Sequence, residues 1–219
     1  MITETLTEIY QLLFDRFGPQ HWWPGDTQFE VIIGAILTQN TNWTNVEKAI
    51  TNLKNANYLT PEKIHRVEMS RLAELIRPAG YYNVKAKRLK SFIGWLFQKY
   101  DGKLANLETL STLQLRAELL AVKGIGRETA DSILLYSLAR PSFVVDAYTA
   151  RIVVRHGLID AGADYEQLRE LFQSNLPEDV HLFNEYHALL VRLGKQFCKP
   201  KAQCPGCPLE HLLYESRHR

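Results

Sequence analysis

The sequence predicts an all-α protein, and two observations carry that prediction. Apolar residues recur with a helical period through most of the chain, as in "LTEIYQLLFDRF", "FEVIIGAILTQ" and "VKAKRLKSFIGWLFQKY". Clear alternation of apolar and polar residues, which would predict strands, is missing, and "FVV" at 143–145 is too short to change this. Breakers such as "GPQHWWPGD", "RPAGYYN" and "DGKL" divide the periodic stretches into about ten short helices.

Composition narrows the class of protein. A chain of 219 residues, 46% of them hydrophobic, can bury the core of one large domain or of two small ones. Charged residues make up 23%, and no apolar run has the length of a membrane span. We therefore expect a cytoplasmic monomer without a membrane partner. The formal net charge of +2 does not by itself indicate a nucleic-acid partner, so a basic surface has to come from local clustering.

The segment "LLAVKGIGRETADSILLY" predicts two helices joined by a glycine turn. We expect the first helix to end near Val122 and the second to begin near Arg127. Gly124 and Gly126 would let a ligand approach the backbone, and the second helix presents free N–H groups to a phosphate oxygen. Lys123 and Arg127 add positive charge. An ordinary turn with a glycine C-cap is the alternative, but the context "L-x-x-x-K-G-I-G-x-x-T-A" favours a helix-hairpin-helix motif that binds phosphate.

A second candidate feature is Asp146, which follows three apolar residues and precedes "AYTARIVVRHGL". This pattern predicts a helix N-cap, a role worth about 1 kcal/mol. A capping role and a catalytic role are compatible, because a capped carboxylate stays ionised and points in one direction. The nearby Asp131 is expected on the outer side of the second hairpin helix.

All three cysteines lie within residues 198–207, with the spacing Cys198-x5-Cys204-x2-Cys207. An odd number of thiols packed so closely indicates a metal or an iron–sulfur cluster in a reducing compartment, not a disulfide framework. The fourth ligand could be His211, a non-protein ligand, or nothing. A Cys3His zinc site and three free thiols are the alternatives.

Together these motifs, with "AILTQNT", resemble the endonuclease III branch of the helix-hairpin-helix DNA glycosylases over roughly residues 28–207. Several segments resemble the 3-methyladenine DNA glycosylases of the Helicobacter type: "WWP", "LTQNTNW", "RPAGYYNVKAKRL" and "GIGRETADSIL". The resemblance implies two all-α domains with the damaged base bound in the cleft between them. One is a six-helix barrel over 25–137, including the hairpin at 121–128. The second helical domain combines 1–24 with 138–219 and carries the cysteine loop at 198–207.

The resemblance also implies roles for individual residues. Asp146 becomes the catalytic carboxylate, and Gln39 fills the gap that a flipped base leaves in the duplex. Lys195 lies near the cleft with no chemical role assigned, and the cysteines hold a [4Fe–4S] cluster. The base pocket is lined by Trp22, Trp23, Pro24 and Trp43. On the helix at "NVKAKRLKSF" we expect most of the cations, Lys85, Lys87, Arg88 and Lys90, to form a solvated face.

Position 128 determines the expected subclass of enzyme. Bifunctional members of the family carry a lysine two residues after the second hairpin glycine, and its amine forms a Schiff base with the sugar. Here the sequence is "G-I-G-R-E-T-A", and the carboxylate of Glu128 cannot form an imine. We therefore expect a monofunctional glycosylase that uses water and leaves an abasic site, without lyase activity.

The resulting hypothesis is a DNA glycosylase of base excision repair that acts on double-stranded DNA in the nucleoid. It would hydrolyse the N-glycosidic bond of alkylated purines, above all 3-methyladenine, after the base is flipped out. Indole faces attract a cationic ring, which favours alkylated over neutral bases. The alternatives are an endonuclease III-like enzyme for oxidised pyrimidines and a non-catalytic protein that binds DNA or abasic sites.

Overall fold

The structure, a computed structural model, describes residues 2–212 and is all-α there, with no strand, as predicted. Short 3-10 segments occur at Arg77–Ala79 and Leu104–Thr109, and a π-helical segment occurs at Ile133–Ser137. The α-helices of this part are α1 (Ile2–Phe17), α2 (Gln28–Leu37), α3 (Trp43–Asn55), α4 (Pro61–Arg66), α5 (Met69–Leu75), α6 (Tyr82–Tyr100), α7 (Thr112–Ala121), α8 (Arg127–Ser132), α9 (Ala147–Arg155), α10 (Tyr165–Gln173) and α11 (Val180–Gln196).

The chain divides into two compact units. The central unit consists of residues 24–140 and contains α2 to α8. The terminal unit combines 1–23 with the chain from 141 onward, and it contains α1, α9, α10 and α11. The domain boundaries expected from the sequence are 24/25 and 137/138, whereas the division falls at 23/24 and 140/141.

The central unit is organised around α2. Every residue of α2 from Phe29 to Leu37 is buried, because its apolar residues cover the whole helix circumference and not one stripe. Thr27 caps the helix by accepting a hydrogen bond from the Glu30 amide. Helices α3, α6 and α8 and the π-helical segment all pack against α2. This core carries the α7–α8 hairpin.

In the terminal unit, α1 and α9 pack against the 17-residue helix α11. Tyr186 of α11 is fully buried, and its hydroxyl donates to the carbonyl of Leu6 at 2.8 Å. The rings of Phe143 and Phe172 stack beside it with centroids 3.9 Å apart. This aromatic core fixes the segment that leads into Asp146. None of the described helices combines the length and the apolar character that a membrane crossing requires.

Candidate functional site

The predicted hairpin is present in the central unit. Helix α7 ends at Ala121 and α8 begins at Arg127, as the sequence indicates. Ile125 points into the core and is 5% exposed, so the turn is anchored from below. Gly124 has φ +95°, a conformation that residues other than glycine rarely adopt. The hairpin thus presents its backbone, Lys123 and Arg127 at the surface.

A hydrogen-bond network holds this turn in place. The Gln39 amide nitrogen donates to the Gly124 carbonyl at 3.2 Å and to the Thr129 hydroxyl at 2.8 Å. The Gln39 carbonyl oxygen accepts from the guanidinium of Arg88. A Cβ on Gly124 would lie 2.4 Å from Cγ of Arg88, so Arg88 also packs directly under the turn. Gln39 therefore fastens the hairpin, and its insertion into DNA stays a prediction.

The expected solvated cation face on α6 is wrong for most of its members. Lys85 is 1% exposed and its ammonium donates to the carbonyls of Leu37 and Ala79. Burial lowers the pKa of Lys85 to about 8. Lys90 donates to two backbone carbonyls as well, and Lys87 alone is exposed. Lys85 and Lys90 thus donate to backbone carbonyls near the ends of other helices, and these contacts exist only in the folded chain.

Asp131 is also not where the sequence suggests. Its side chain is fully buried, not on the outer side of α8. The Arg116 guanidinium donates to both carboxylate oxygens, at 2.7 Å and 3.0 Å. This bidentate pair ties α7 to α8 on either side of the turn, which explains why a charged residue is placed inside the core. Asp131 is therefore a structural residue of the hairpin.

Asp146 is the N-cap of α9, as predicted. Its Oδ1 accepts from the Thr149 amide at 2.8 Å and from the Thr149 hydroxyl at 3.0 Å. Thr149 is fully buried while Asp146 is half-buried, so the carboxylate is held from inside and reaches the surface. Among the described residues no donor reaches the second oxygen, Oδ2. One oxygen is thus used for anchoring and the other remains available.

Helix α11 fixes the residues on both sides of Asp146. His187 Nδ1 lies 2.9 Å from the carbonyl oxygen of Val144, which makes His187 the donor. Two residues after Asp146, the ring of Tyr148 packs against Gly194, where an added Cβ would lie only 2.3 Å from Tyr148 Cδ1. The contacts described here that orient the carboxylate thus belong to the terminal unit. The exposed Lys195 directly follows Gly194 in the chain.

The aromatic candidates are distributed over the two units. Trp22 and Trp23 lie in the terminal unit, where their rings meet edge to face with centroids 5.4 Å apart. Trp43 is the first residue of α3 in the central unit, where it packs against the core, and Pro24 is exposed. Trp22 lines a cavity of about 480 Å³ beside the first turns of α11, and its indole N–H is buried with no hydrogen-bond partner there. A base pocket formed by all four stays a prediction.

The three cysteines line one small cavity in the terminal unit, about 30 Å³ in volume. The last turn of α9 holds the loop that carries them. The Arg151 guanidinium donates to the Cys198 carbonyl at 2.6 Å, and Arg155 donates to Cys198 Sγ at 3.3 Å. Burial raises the pKa of the Cys207 thiol, and the two other cysteines act in the same direction. Among the described residues, no three His, Cys, Asp or Glu side chains are close enough to share a single metal ion.

Two histidines lie near the cysteine cavity, and only one of them lines it. His211, the histidine considered from the sequence, is exposed, and its Nε2 lies 3.9 Å from Glu8 Oε1. The residue that lines the cavity is His156, whose Nδ1 is buried and accepts or donates no hydrogen bond in the described chain. Burial lowers the pKa of His156 to about 4, and the nearby His211 adds to this. Sequence spacing gave no indication of His156, because it directly follows α9 and lies far from the cysteine loop in sequence.

Three sulfur donors and one orphaned imidazole nitrogen around a single cavity fit a group with four ligand positions. A buried nitrogen without a hydrogen-bond partner is uncommon, and this one lies beside three sulfur donors. The side chains around this cavity therefore have the chemistry of a ligand set for a cofactor.

Comparisons with known proteins agree with this architecture. Residues 33–178 match the family of HhH-GPD superfamily base excision DNA repair proteins. A Methanocaldococcus jannaschii protein with the provisional name DNA repair glycosylase is 51% identical over 210 residues, 95% of this chain and 96% of that protein. Endonuclease III of Thermotoga maritima is 32% identical over 220 residues, 100% of this chain and 95% of that protein.

A solved structure is similar as well. The Helicobacter pylori 3-methyladenine DNA glycosylase bound to 1,N6-ethenoadenine superposes with a TM-score of 0.76 and is 33% identical, covering 89% of this chain and 97% of that one. The chain therefore belongs to the HhH-GPD superfamily of base excision DNA repair proteins, and it is a DNA glycosylase.

Proposed function

We propose that this glycosylase hydrolyses the N-glycosidic bond of alkylated purines such as 3-methyladenine in duplex DNA, leaving an abasic site. The main observation behind the proposal is that the two oxygens of the Asp146 carboxylate have different surroundings. Oδ1 is fixed by Thr149, while Oδ2 has no donor from the described residues and can face a reacting sugar. The similarity to a 3-methyladenine glycosylase supports the choice of substrate class.

The reaction follows from that geometry. As the glycosidic bond breaks, positive charge develops on the sugar, and a fixed anion stabilises this transition state because it needs no reorganisation. The cap bonds and the anchors on α11 hold the Asp146 carboxylate in one direction. Asp146 then orients the water that attacks the sugar carbon and accepts its proton. Because an alkylated purine is cationic, it leaves as a neutral base without prior protonation.

The absence of a lysine at position 128 supports hydrolysis without strand cleavage. Glu128 occupies the exposed first turn of α8, where the bifunctional pattern places its amine. A carboxylate cannot form a Schiff base, and the neighbouring Lys123 lies on the other side of the turn, in the groove formed with α6 and α7. The product is an abasic site with both strands intact.

The hairpin is the proposed DNA-binding element. The backbone around Gly124 and Gly126, with Lys123 and Arg127 beside it, would contact phosphate oxygens without reading sequence. Gln39 would fill the gap in the duplex, and Lys195 would lie near the reacting nucleotide. The flipped base would be enclosed by Trp22, Trp23, Pro24 and Trp43.

The proposed cofactor is a [4Fe–4S] cluster held by Cys198, Cys204 and Cys207. When bound, such a cluster crosslinks its loop and supplies a one-electron redox couple. Arg155 fixes the cysteine loop in position, because it donates to the Lys199 and Pro200 carbonyls at 2.7 Å and 2.6 Å. A rigid loop also presents Lys199 and Lys201 to the solvent.

A second candidate function is the removal of oxidised pyrimidines, which the 32% identity to Endonuclease III of Thermotoga maritima favours. The test incubates the protein with duplexes carrying one alkylated purine or one oxidised pyrimidine, and the released bases are identified by mass spectrometry. We expect release of the alkylated purine only. Release of the oxidised pyrimidine alone would replace the proposal by its rival, and release of neither base would refute both.

A further inference from the structure

We propose that His156 is the fourth ligand of the iron–sulfur cluster, bound through its Nδ1 atom. The proposal rests on the cluster of the proposed function and adds the residue that completes it. In forming the site, each of the three thiols loses its proton on binding iron. The neutral imidazole donates a lone pair and loses no proton.

The first argument is the position of His156. It directly follows Arg155, whose guanidinium donates to Cys198 Sγ at 3.3 Å and to the Lys199 carbonyl at 2.7 Å. One turn earlier, Arg151 donates to the Cys198 carbonyl at 2.6 Å. The end of α9 is therefore fastened to the start of the cysteine loop, and the imidazole of His156 lines the same cavity as all three cysteines.

The second argument is the state of the imidazole. Nδ1 of His156 is buried and has no hydrogen-bond partner in the part of the chain that the structure describes. Buried ring nitrogens are nearly always paired, so an orphaned one beside three thiols indicates a partner of another kind. Histidine nitrogen is an established ligand of iron–sulfur centres in place of cysteine.

The third argument is the lack of a competing side chain among the described residues. The sequence has three cysteines, and the position at which the family places the fourth is Leu213, a hydrocarbon that cannot bind iron. Its structure lies outside the described residues. His211 has a side chain that is 58% exposed and lies beside Glu8, and it is not part of the cavity wall.

A histidine ligand has a measurable consequence for redox chemistry. Three thiolates and a neutral imidazole give the site one negative charge fewer than four thiolates would. Less negative charge stabilises the reduced cluster, as does the Arg155 guanidinium that donates to Cys198 Sγ. We therefore expect a higher reduction potential in the wild-type protein than in His156→Cys.

The test compares the wild-type protein with His156→Ala, His156→Cys and His211→Ala, all purified without oxygen. Iron and sulfide per chain, visible absorption, electron paramagnetic resonance and reduction potential are measured, with circular dichroism as the check on folding. We expect about four irons per chain in the wild type and in His211→Ala. In His156→Ala one iron of the cluster would have no side-chain ligand. We expect this iron to be lost and a three-iron signal to appear after oxidation. His156→Cys should retain the full cluster at a lower potential.

Two results would overturn the inference. If His156→Ala keeps the iron content, spectrum and potential of the wild type, another group is the ligand, and iron loss in His211→Ala would identify His211 as that group. A wild-type protein that holds one zinc, or no iron after reconstitution, would refute the cluster itself. Base release measured on the same samples separates these outcomes from a failure of the proposed glycosylase activity.

Discussion

The two ends of helix α9 are held in different ways. At its N-terminus, Asp146 caps the helix by accepting from Thr149, three residues further along the chain. At its C-terminus, Arg151 and Arg155 bond to Cys198, which is 47 and 43 residues away in sequence. The hydrogen bonds to Asp146 come from a neighbouring residue, whereas those at the other end reach a distant loop.

This difference separates two kinds of function within 11 residues. The cap bonds from Thr149 and the packing of α11 beside Asp146 hold this carboxylate in one direction, which suits its proposed role of stabilising charge in a reaction. The C-terminal end bonds to a loop without regular secondary structure at 198–207, so its order would be coupled to the proposed cofactor. The following changes test this contrast.

The largest expected effect is that of Asp146→Asn. Asparagine also caps helices, so the free energy of unfolding should change by less than about 1 kcal/mol. The negative charge is lost, and base release from alkylated DNA should fall by at least about 100-fold. Release is measured in single-turnover reactions, together with DNA binding, which should be retained.

Asp164→Asn is the matched control for this change, because Asp164 caps α10 with the same bond to the third following amide. Its base release should equal that of the wild type. If Asp164→Asn and Asp146→Asn lose activity to the same extent, the effect of Asp146 is structural and the catalytic assignment is wrong.

The opposite end of α9 is tested by Arg155→Met. The change removes hydrogen bonds to Cys198 Sγ and to the carbonyls of Lys199 and Pro200. Leaving these acceptors without their donor should cost about 2 kcal/mol in urea unfolding and should speed proteolysis of the 199–204 loop. Arg16→Met, in the exposed last turn of α1, is the control and should have little effect. Equal stability of both variants would show that Arg155 does not order the loop.

The hairpin offers a comparison of its own, between its two glycines. Gly124→Ala should destabilise the protein by about 1–2 kcal/mol, since φ is +95° and the new Cβ meets Arg88. Gly126 has φ −93° and open space around it, so Gly126→Ala should fold normally. Thermal unfolding measures the first effect. If Gly126→Ala nevertheless weakens DNA binding at low salt, DNA approaches the backbone at Gly126; unchanged binding would argue against that contact.

The smallest effect is expected at the cap of Asp146 itself. Thr149→Val keeps the shape and the amide donor but removes the hydroxyl that donates to Oδ1. We expect base release to fall by about three- to tenfold, since one of two anchoring bonds is lost. Thr149→Ser, which retains the hydroxyl, should remain close to the wild type. A Thr149→Val enzyme with full activity would show that the amide bond alone aims the carboxylate.

The same contrast explains what the sequence could predict. The all-α class, the hairpin ends near Val122 and Arg127 and the cap at Asp146 depend on residues within a few positions of each other, and these predictions are confirmed. Periodicity and capping chemistry are local, so they can be read from a single sequence.

The errors and omissions all involve distant partners. Lys85 and Asp131 were expected at the surface because they are charged, but carbonyls of other segments and Arg116 provide their partners in the core. His156 was missed because nothing in its own segment marks it as a ligand, and the cysteine loop that meets it lies far along the chain. Local patterns cannot specify a contact that only the folded chain creates.

The central claim is that the enzyme releases its base by hydrolysis, with Asp146 as the anion and without a lysine nucleophile. The most direct measurement is a single-turnover reaction on duplex DNA with one alkylated purine, run with and without borohydride. We predict the same rate of base release in both reactions, an abasic product, and no protein that remains attached to DNA after denaturation. A borohydride-dependent covalent adduct whose yield follows base release would contradict this account.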